Sequence, residues 1–312
     1  MQNNYIKDIL LGVAVGDAIG VPVEFRSRTY LNAYPVIDVM GYGTHEQPPG
    51  TWSDDTSLTL ALADALCEGL DIEQVAKNFV AWYYENQFTA RGEVFDIGNS
   101  TRNAIRNLWA GVKPEKAGDY TEDTNGNGSL MRILPLLAYI KDLPIEERFD
   151  WTRKISSITH GHIRSVLACF YYLEFARKLL TNKDKFLIYN ELKTEINDFF
   201  QQKNISDKEK HEFRRLLRED IGDFPSEMIN SSGYVIHSLE ASIWSLLTTT
   251  NYKNAILEAV NLGEDTDTTA AITGGLAALF YGADTIPEHW LLVLARREYI
   301  EEMGERLFVK YP

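Results

Sequence analysis

Within the six residues Glu264-Asp-Thr-Asp-Thr-Thr269 stand three carboxylates and three hydroxyls, and a helix of small residues, Ala270 to Phe280, follows at once. A second stretch of the same make, Thr51-Trp-Ser-Asp-Asp-Thr-Ser57, leads into another alanine- and leucine-rich helix. Asp, Ser and Thr are favoured at helix N-caps, and acids there suit the macrodipole. A cap needs only one such residue, so crowding at both places points to another task. Glu24, in a Gly- and Pro-rich stretch, joins Asp54, Asp55, Asp265 and Asp267 to make five acids at helix mouths, with Ser53 and Thr268 adding hydroxyls. Two like charges about 4 Å apart repel by roughly 4 kcal/mol at an effective dielectric of 20. If these acids meet, some are protonated or they share cations. Oxygen donors suit Mg²⁺, Mn²⁺ or Ca²⁺, whereas zinc brings His or Cys. The spacing is not that of an EF-hand. Residues two apart on a helix do not share a face. Asp265 and Asp267 can therefore converge only if the backbone there is not yet helical.

The elements that must position these groups read as helices almost throughout. Apolar residues recur at helical spacing in Tyr5–Asp17, Leu58–Leu70, Ile72–Asn86 and Ile163–Leu180, and strict alternation is nearly absent. The expectation is an all-α fold, a compact orthogonal multi-helix bundle, in a single domain over 1–312. Residues 183–220 are highly charged and read as two surface helices, a peripheral insertion. Val21–Gly50 reads as a long loop, and Gly126-Asn-Gly-Ser-Leu-Met-Arg132 as the opening of a helix running to Ile140.

Composition narrows the function. With 312 residues, 45% apolar and 24% charged, the chain is an ordinary globular protein. Its net charge of −14 argues against a nucleic-acid-binding or acidic-membrane-binding surface. Cys67 and Cys169 are far apart and read as small core residues. Acids before and within the apolar run Ile9–Val21 argue against a signal peptide, and no stretch is long enough to span a membrane, so a cytoplasmic enzyme is expected.

Six motifs stand in order along the chain: Gly16-Asp-Ala-Ile-Gly20 with Glu24, Ser53-Asp-Asp-Thr56, Asp96-Ile-Gly-Asn99, Gly126-Asn-Gly-Ser129 with Met131-Arg132, Thr159-His160, and Gly263-Glu-Asp-Thr-Asp-Thr268. In these the chain resembles the ADP-ribosylglycohydrolase family; 183–220 carries none of them. The resemblance implies a binuclear Mg²⁺ (or Mn²⁺) centre at helix N-termini, held by Glu24, Ser53, Asp54, Asp55, Asp265, Asp267 and Thr268. The family usually has Thr at the place of Ser53, which keeps the hydroxyl.

The implied reaction is hydrolysis of the N-glycosidic bond joining ADP-ribose to a target, most simply an arginine on protein. Such a bond breaks with oxocarbenium character that carboxylates stabilise, and one acid can act as base on water. Asp55 is expected as that base, with Glu24 and Asp96 as further catalytic candidates. Gly98, Asn99, Gly126, Asn127, Gly128, Ser129, Met131 and His160 are expected to bind substrate. Glycines let backbone N–H groups reach a pyrophosphate, and a helix starting there would turn its N-terminus to the anion. Arg132 could meet phosphate or pair with an acid, and His162 reads as structural. Other readings are hydrolysis of O-linked, nucleic-acid or small-molecule ADP-ribose derivatives, a Mg²⁺ nucleotide pyrophosphohydrolase, or a protein that only binds ADP-ribose.

Overall fold

Gly12, Gly16 and Gly20 fall four apart on the first helix, Tyr5–Gly20, and so share one face. Against that face lies the helix Thr266–Tyr281, running the other way. A Cβ at Gly12 would stand 2.3 Å from the Gly274 carbonyl oxygen, one at Gly16 2.1 Å from that of Ala270, and one at Gly20 2.3 Å from the Asp267 Cα. The two backbones therefore touch, which only glycine allows. This pair is buried on nearly every side, consistent with helices that are apolar or small all round.

The computed structural model describes residues 4–312. It is all-α: 68% helical, with no sheet among the described residues and only isolated β-bridges. The helices Asp54–Glu68, Val235–Thr248, Tyr252–Asn261 and Arg297–Lys310 pack around the central pair. Buried tyrosines fasten this core: Tyr252 donates to the Gly12 carbonyl at 2.8 Å and Tyr172 to that of Ile272 at 2.8 Å.

Several boundaries differ from the sequence reading. The first helix continues to Gly20, and the second acidic stretch is itself helical from Asp54, with Ser53 as its cap. Val21–Gly50 contains a short helix, Arg28–Ala33. No helix opens at Gly126–Arg132; that stretch is a series of turns, and helix resumes only at Leu134. In 183–220 the main element is one long helix, Lys185–Gln202. Ile188, Leu192, Ile196 and Phe199 on one face of it are buried against Ile163–Leu179, the Phe199 ring 4.7 Å from that of Phe170.

Gly16→Ala forces apart two backbones that nothing else can move, and is expected to cost roughly 2–3 kcal/mol in a urea titration. Gly98→Ala, with nothing within 4 Å of the new Cβ, is expected to cost under about 1 kcal/mol. Equal midpoints for the two variants would refute the close-contact account.

Candidate active site

The touching helices place Asp17, near the end of one, beside Asp267, at the start of the other. Asp17 is fully buried and accepts from the backbone N–H of Ser53 at 2.9 Å and of Thr56 at 3.0 Å, and from the Thr56 hydroxyl at 2.6 Å. It thus ties the start of Asp54–Glu68 to the central pair. Asp265 is the non-helical residue before Thr266–Tyr281, and Asp267 lies in its first turn, so the two carboxylates can converge as the spacing requires.

Three groups result. Asp17, Asp55 and Asp267 bring one carboxylate oxygen each within 4.8 Å of one another, as do Glu24, Asp265 and Asp267. Glu24, Asp96 and the ring of His45 form the third. The Asp55 Oδ2 accepts from the Ser53 hydroxyl at 3.1 Å and the Thr268 hydroxyl at 3.2 Å. The Asp55 Oδ1 and the Asp267 Oδ2 are buried without any partner. A buried acceptor left unpaired is costly, and an ionised one more so. Unpaired oxygens within a nest of oxygen donors fit a hard cation.

The electrostatics agree. Burial first, then the neighbouring carboxylates, pushes Glu24 from 4.5 up to about 10, and drives Asp54, Asp55 and Asp267 well above the usual range. Burial raises Asp17 to about 6, against the pull of its hydrogen bonds to Thr56 and Ser53, and raises Asp96 and Asp265 as well. Burial and mutual repulsion thus favour the protonated form of these carboxyls where no cation offsets them.

Beside the nest opens a cavity of about 280 Å³ lined by Glu24, Asp54, Asp96, Asp265 and Thr268 on one side. Gly98, Asn99, Gly126, Asn127, Gly128, Met131 and His160 form the rest, with Phe25, Ser100, Thr101 and Gly233. A larger cavity of about 600 Å³ lies between Ile72–Glu85 and Trp109, but none of the carboxylate groups opens into it. The His160 ring lies against the glycine turn: a Cβ at Gly128 would stand 2.8 Å from its Cε1. Burial, then the charge of Arg132, lowers His160 to about 3, so the ring is a neutral hydrogen-bonding group. Phe25 and Asp96 have φ of 64° and 47°, and Glu264, whose carbonyl accepts from the Phe25 N–H at 2.6 Å, has 62°. Such left-handed backbone at non-glycine residues gathers where function demands it.

Some expectations change. Asp55 does not line the cavity; it sits behind Asp54 with one oxygen held by two hydroxyls. Ser129 is not at the cavity either: its hydroxyl faces the core, 3.0 Å from that of Ser156 and 3.5 Å from the Cys169 sulfur. The Asn127 N–H is taken by the Gly233 carbonyl at 3.0 Å, and its side-chain amide donates to Asp265 at 2.7 Å and Ser238 at 2.8 Å. Asn127 therefore orients a carboxylate. Arg132 does not line the cavity and makes no ion pair with an acid among the described residues; it is fully buried and donates to the carbonyls of Gly128 at 2.7 Å and Ile155 at 3.2 Å. It holds the glycine turn from behind. His162 caps Ile163–Leu179 and bonds Asn125, as a structural residue would. Asp17 and His45 had no assigned role in the sequence reading. Asp17 is a lone acid within Gly16-Asp-Ala-Ile-Gly20, and no neighbouring residue marks His45. Its ring Nε2 meets Glu24.

Fold and site together define a helical hydrolase of the glycohydrolase class. The chain belongs to the ADP-ribosylglycohydrolase family, whose model matches residues 2–312. It is 34% identical to the ADP-ribosylarginine hydrolase Tri1 of Serratia proteamaculans (strain 568), over 98% of this chain and 79% of that protein. It is 29% identical to the ADP-ribosyl-[dinitrogen reductase] glycohydrolase of Rhodospirillum rubrum, over 90% of this chain and 87% of the other. A solved structure, an ADP-ribosylglycohydrolase-related protein complex, superposes with a TM-score of 0.82 at 29% identity, covering all of both chains. No helix among the described residues is long and apolar enough to cross a membrane.

The raised carboxyls set a pH dependence. Between 4.5 and about 10 the folded protein holds a proton on Glu24 that the unfolded chain releases, so stability falls as pH rises through that window. The urea midpoint of EDTA-treated protein is expected to drop from about pH 5 to about pH 9, and millimolar Mg²⁺ to flatten the slope. A metal-free midpoint that climbs with pH would contradict the protonated cluster.

Proposed function

We propose that the protein removes ADP-ribose from arginine side chains of modified proteins, with two Mg²⁺ (or Mn²⁺) ions bound in the carboxylate nest. The observation that carries this reading is the joint presence, on one cavity, of nested acids with unpaired oxygens and a glycine turn backed by a neutral histidine. Glu24, Asp54, Asp55, Asp265 and Asp267, with the hydroxyls of Ser53 and Thr268, are the residues that would hold the ions. Asp17 and Asp96 stand within the same groups. Bound there, divalent cations supply positive charge for ribose hydroxyls and for polarising a water.

The chain's own residues do the rest. The glycine turn and His160 give an uncharged wall along which a pyrophosphate can lie. Asp54 and Asp96, at the cavity surface, face the anomeric carbon as positive charge develops on it. Asp96, and not the enclosed Asp55, takes the proton of the attacking water as the water oxygen bonds to that carbon. The guanidine leaves with the electrons of the broken C–N bond. An arginine-linked target suits this site because its guanidinium brings positive charge to an acid-lined mouth on a chain of net charge −14. The Tri1 and dinitrogen-reductase relatives, by their names, support the same acceptor class.

Release of ADP-ribose from a peptide panel carrying it on arginine, serine or a nucleic-acid end tests the reading. Release from arginine with Mg²⁺ and none with EDTA is expected; preference for serine would move the acceptor, and no release from any member would end the proposal. Asp96→Asn is expected to lower kcat by roughly 10²–10⁴ while ADP-ribose still binds. Unchanged turnover in that variant would return the base role to another acid.

A further inference from the structure

The segment 183–220, which carries none of the family motifs, reaches the cavity walls through Arg164 and through two contacts beside it, Lys208 on Glu122 and Glu212 on Tyr234. Arg164, nearly buried in the first turn of Ile163–Leu179, makes a two-pronged ion pair with Glu209 on the short helix Asp207–Glu212. Its Nε donates to Glu209 Oε2 at 2.9 Å and its Nη2 to Oε1 at 2.8 Å. The same Nη2 donates to Glu122 at 3.3 Å, and the guanidinium stands 5.9 Å from the centre of the Tyr234 ring. Tyr234 in turn donates its hydroxyl to Glu212 at 2.8 Å.

Glu122 and Tyr234 sit beside the cavity's two backbone walls. The Glu122 carbonyl accepts from the Asn125 amide at 2.8 Å, and Asn125 precedes Gly126. Tyr234 follows Gly233. The walls join through two backbone bonds only a few residues long, Asn127 N–H to Gly233 at 3.0 Å and Val235 N–H to Asn125 at 3.0 Å. Gly126, Asn127, Gly128 and Gly233 all line the cavity. Turns of this kind have no ladder to hold them, so their spacing depends on the side chains that grip them, Arg132 and Asn127 from within and the Arg164 group from outside.

We propose that Arg164, gripped by Glu209 and standing 3.9 Å from Glu212 of this segment, is a positioning residue that sets the distance between the Gly126 and Gly233 walls and so the fit of the substrate. The inference rests on the proposed function for its substrate, but the wall geometry can be read without it. Segment 183–220 thereby belongs to the binding apparatus, although none of its residues touches the cavity.

A second buried ion pair provides the comparison. Arg148 and Glu174 meet at 2.5 and 2.7 Å, equally enclosed, and join Ile145–Ser157 to Ile163–Leu179 away from the cavity. Glu209→Gln, Tyr234→Phe and Glu174→Gln are compared at saturating Mg²⁺ for KM, kcat, ADP-ribose Kd, and amide hydrogen exchange at Asn127 and Val235. Glu209→Gln is expected to raise KM and Kd by roughly tenfold with kcat within about threefold, and to speed exchange at both amides. Tyr234→Phe, which removes one hydroxyl and keeps the ring, is expected to do the same more weakly and decides the matter if Glu209→Gln does not fold. Glu174→Gln is expected to lose stability with KM, Kd and exchange at those amides unchanged. Equal KM changes in Glu209→Gln and Glu174→Gln, or none in Glu209→Gln and Tyr234→Phe, would overturn the inference. Should the unaltered protein neither bind nor release ADP-ribose, the functional proposal fails alone, and the exchange comparison still decides whether the segment sets the walls.

Discussion

The contact between two bare backbones at Gly12, Gly16 and Gly20 governs the rest of the molecule. At that separation the side chains at the ends of the two helices have no freedom to stay apart, and Asp17 and Asp267 are delivered to the same point. Asp17 then fixes Ser53 and Thr56, so the entry of a third helix is registered to the first two by hydrogen bonds to one carboxylate. Packing of small residues is thus the cause of the site's geometry, and the acids are its result.

Such a delivery runs against electrostatics. Acids gathered in a buried place repel one another and lose hydration, which is why their carboxyls are pushed upward. The positive ends of the helices starting at Asp54 and Thr266 offset part of this. The remainder would favour a cation, and the unpaired oxygens of Asp55 and Asp267 are donors it could meet.

Much of this was legible in the residues. The helical class followed from apolar spacing, and the acid-rich helix starts stood out because a cap alone needs fewer acids. Directions of side chains were harder. Asp54 and Asp55 are neighbours in sequence but diverge by a third of a turn on a helix, and nothing local says which meets the cavity. Ser129 turned inward and Arg132 turned to carbonyls for the same reason: their partners, Ser156 and Ile155, come from elsewhere in the chain. Gly126–Arg132 reads as the opening of a helix, yet its glycines lie in a series of turns. The high charge of 183–220 hid an apolar stripe from Ile188 to Phe199 that seats its long helix in the core.

Asp267 belongs to two of the carboxylate groups and Glu24 to two, so the groups form a linked chain and not separate compartments. An acid that turns toward one occupant is altered for the next, and by linkage the influence is mutual. Were cations to enter this nest, filling one group would change the affinity of the next, because neighbouring groups share a carboxylate.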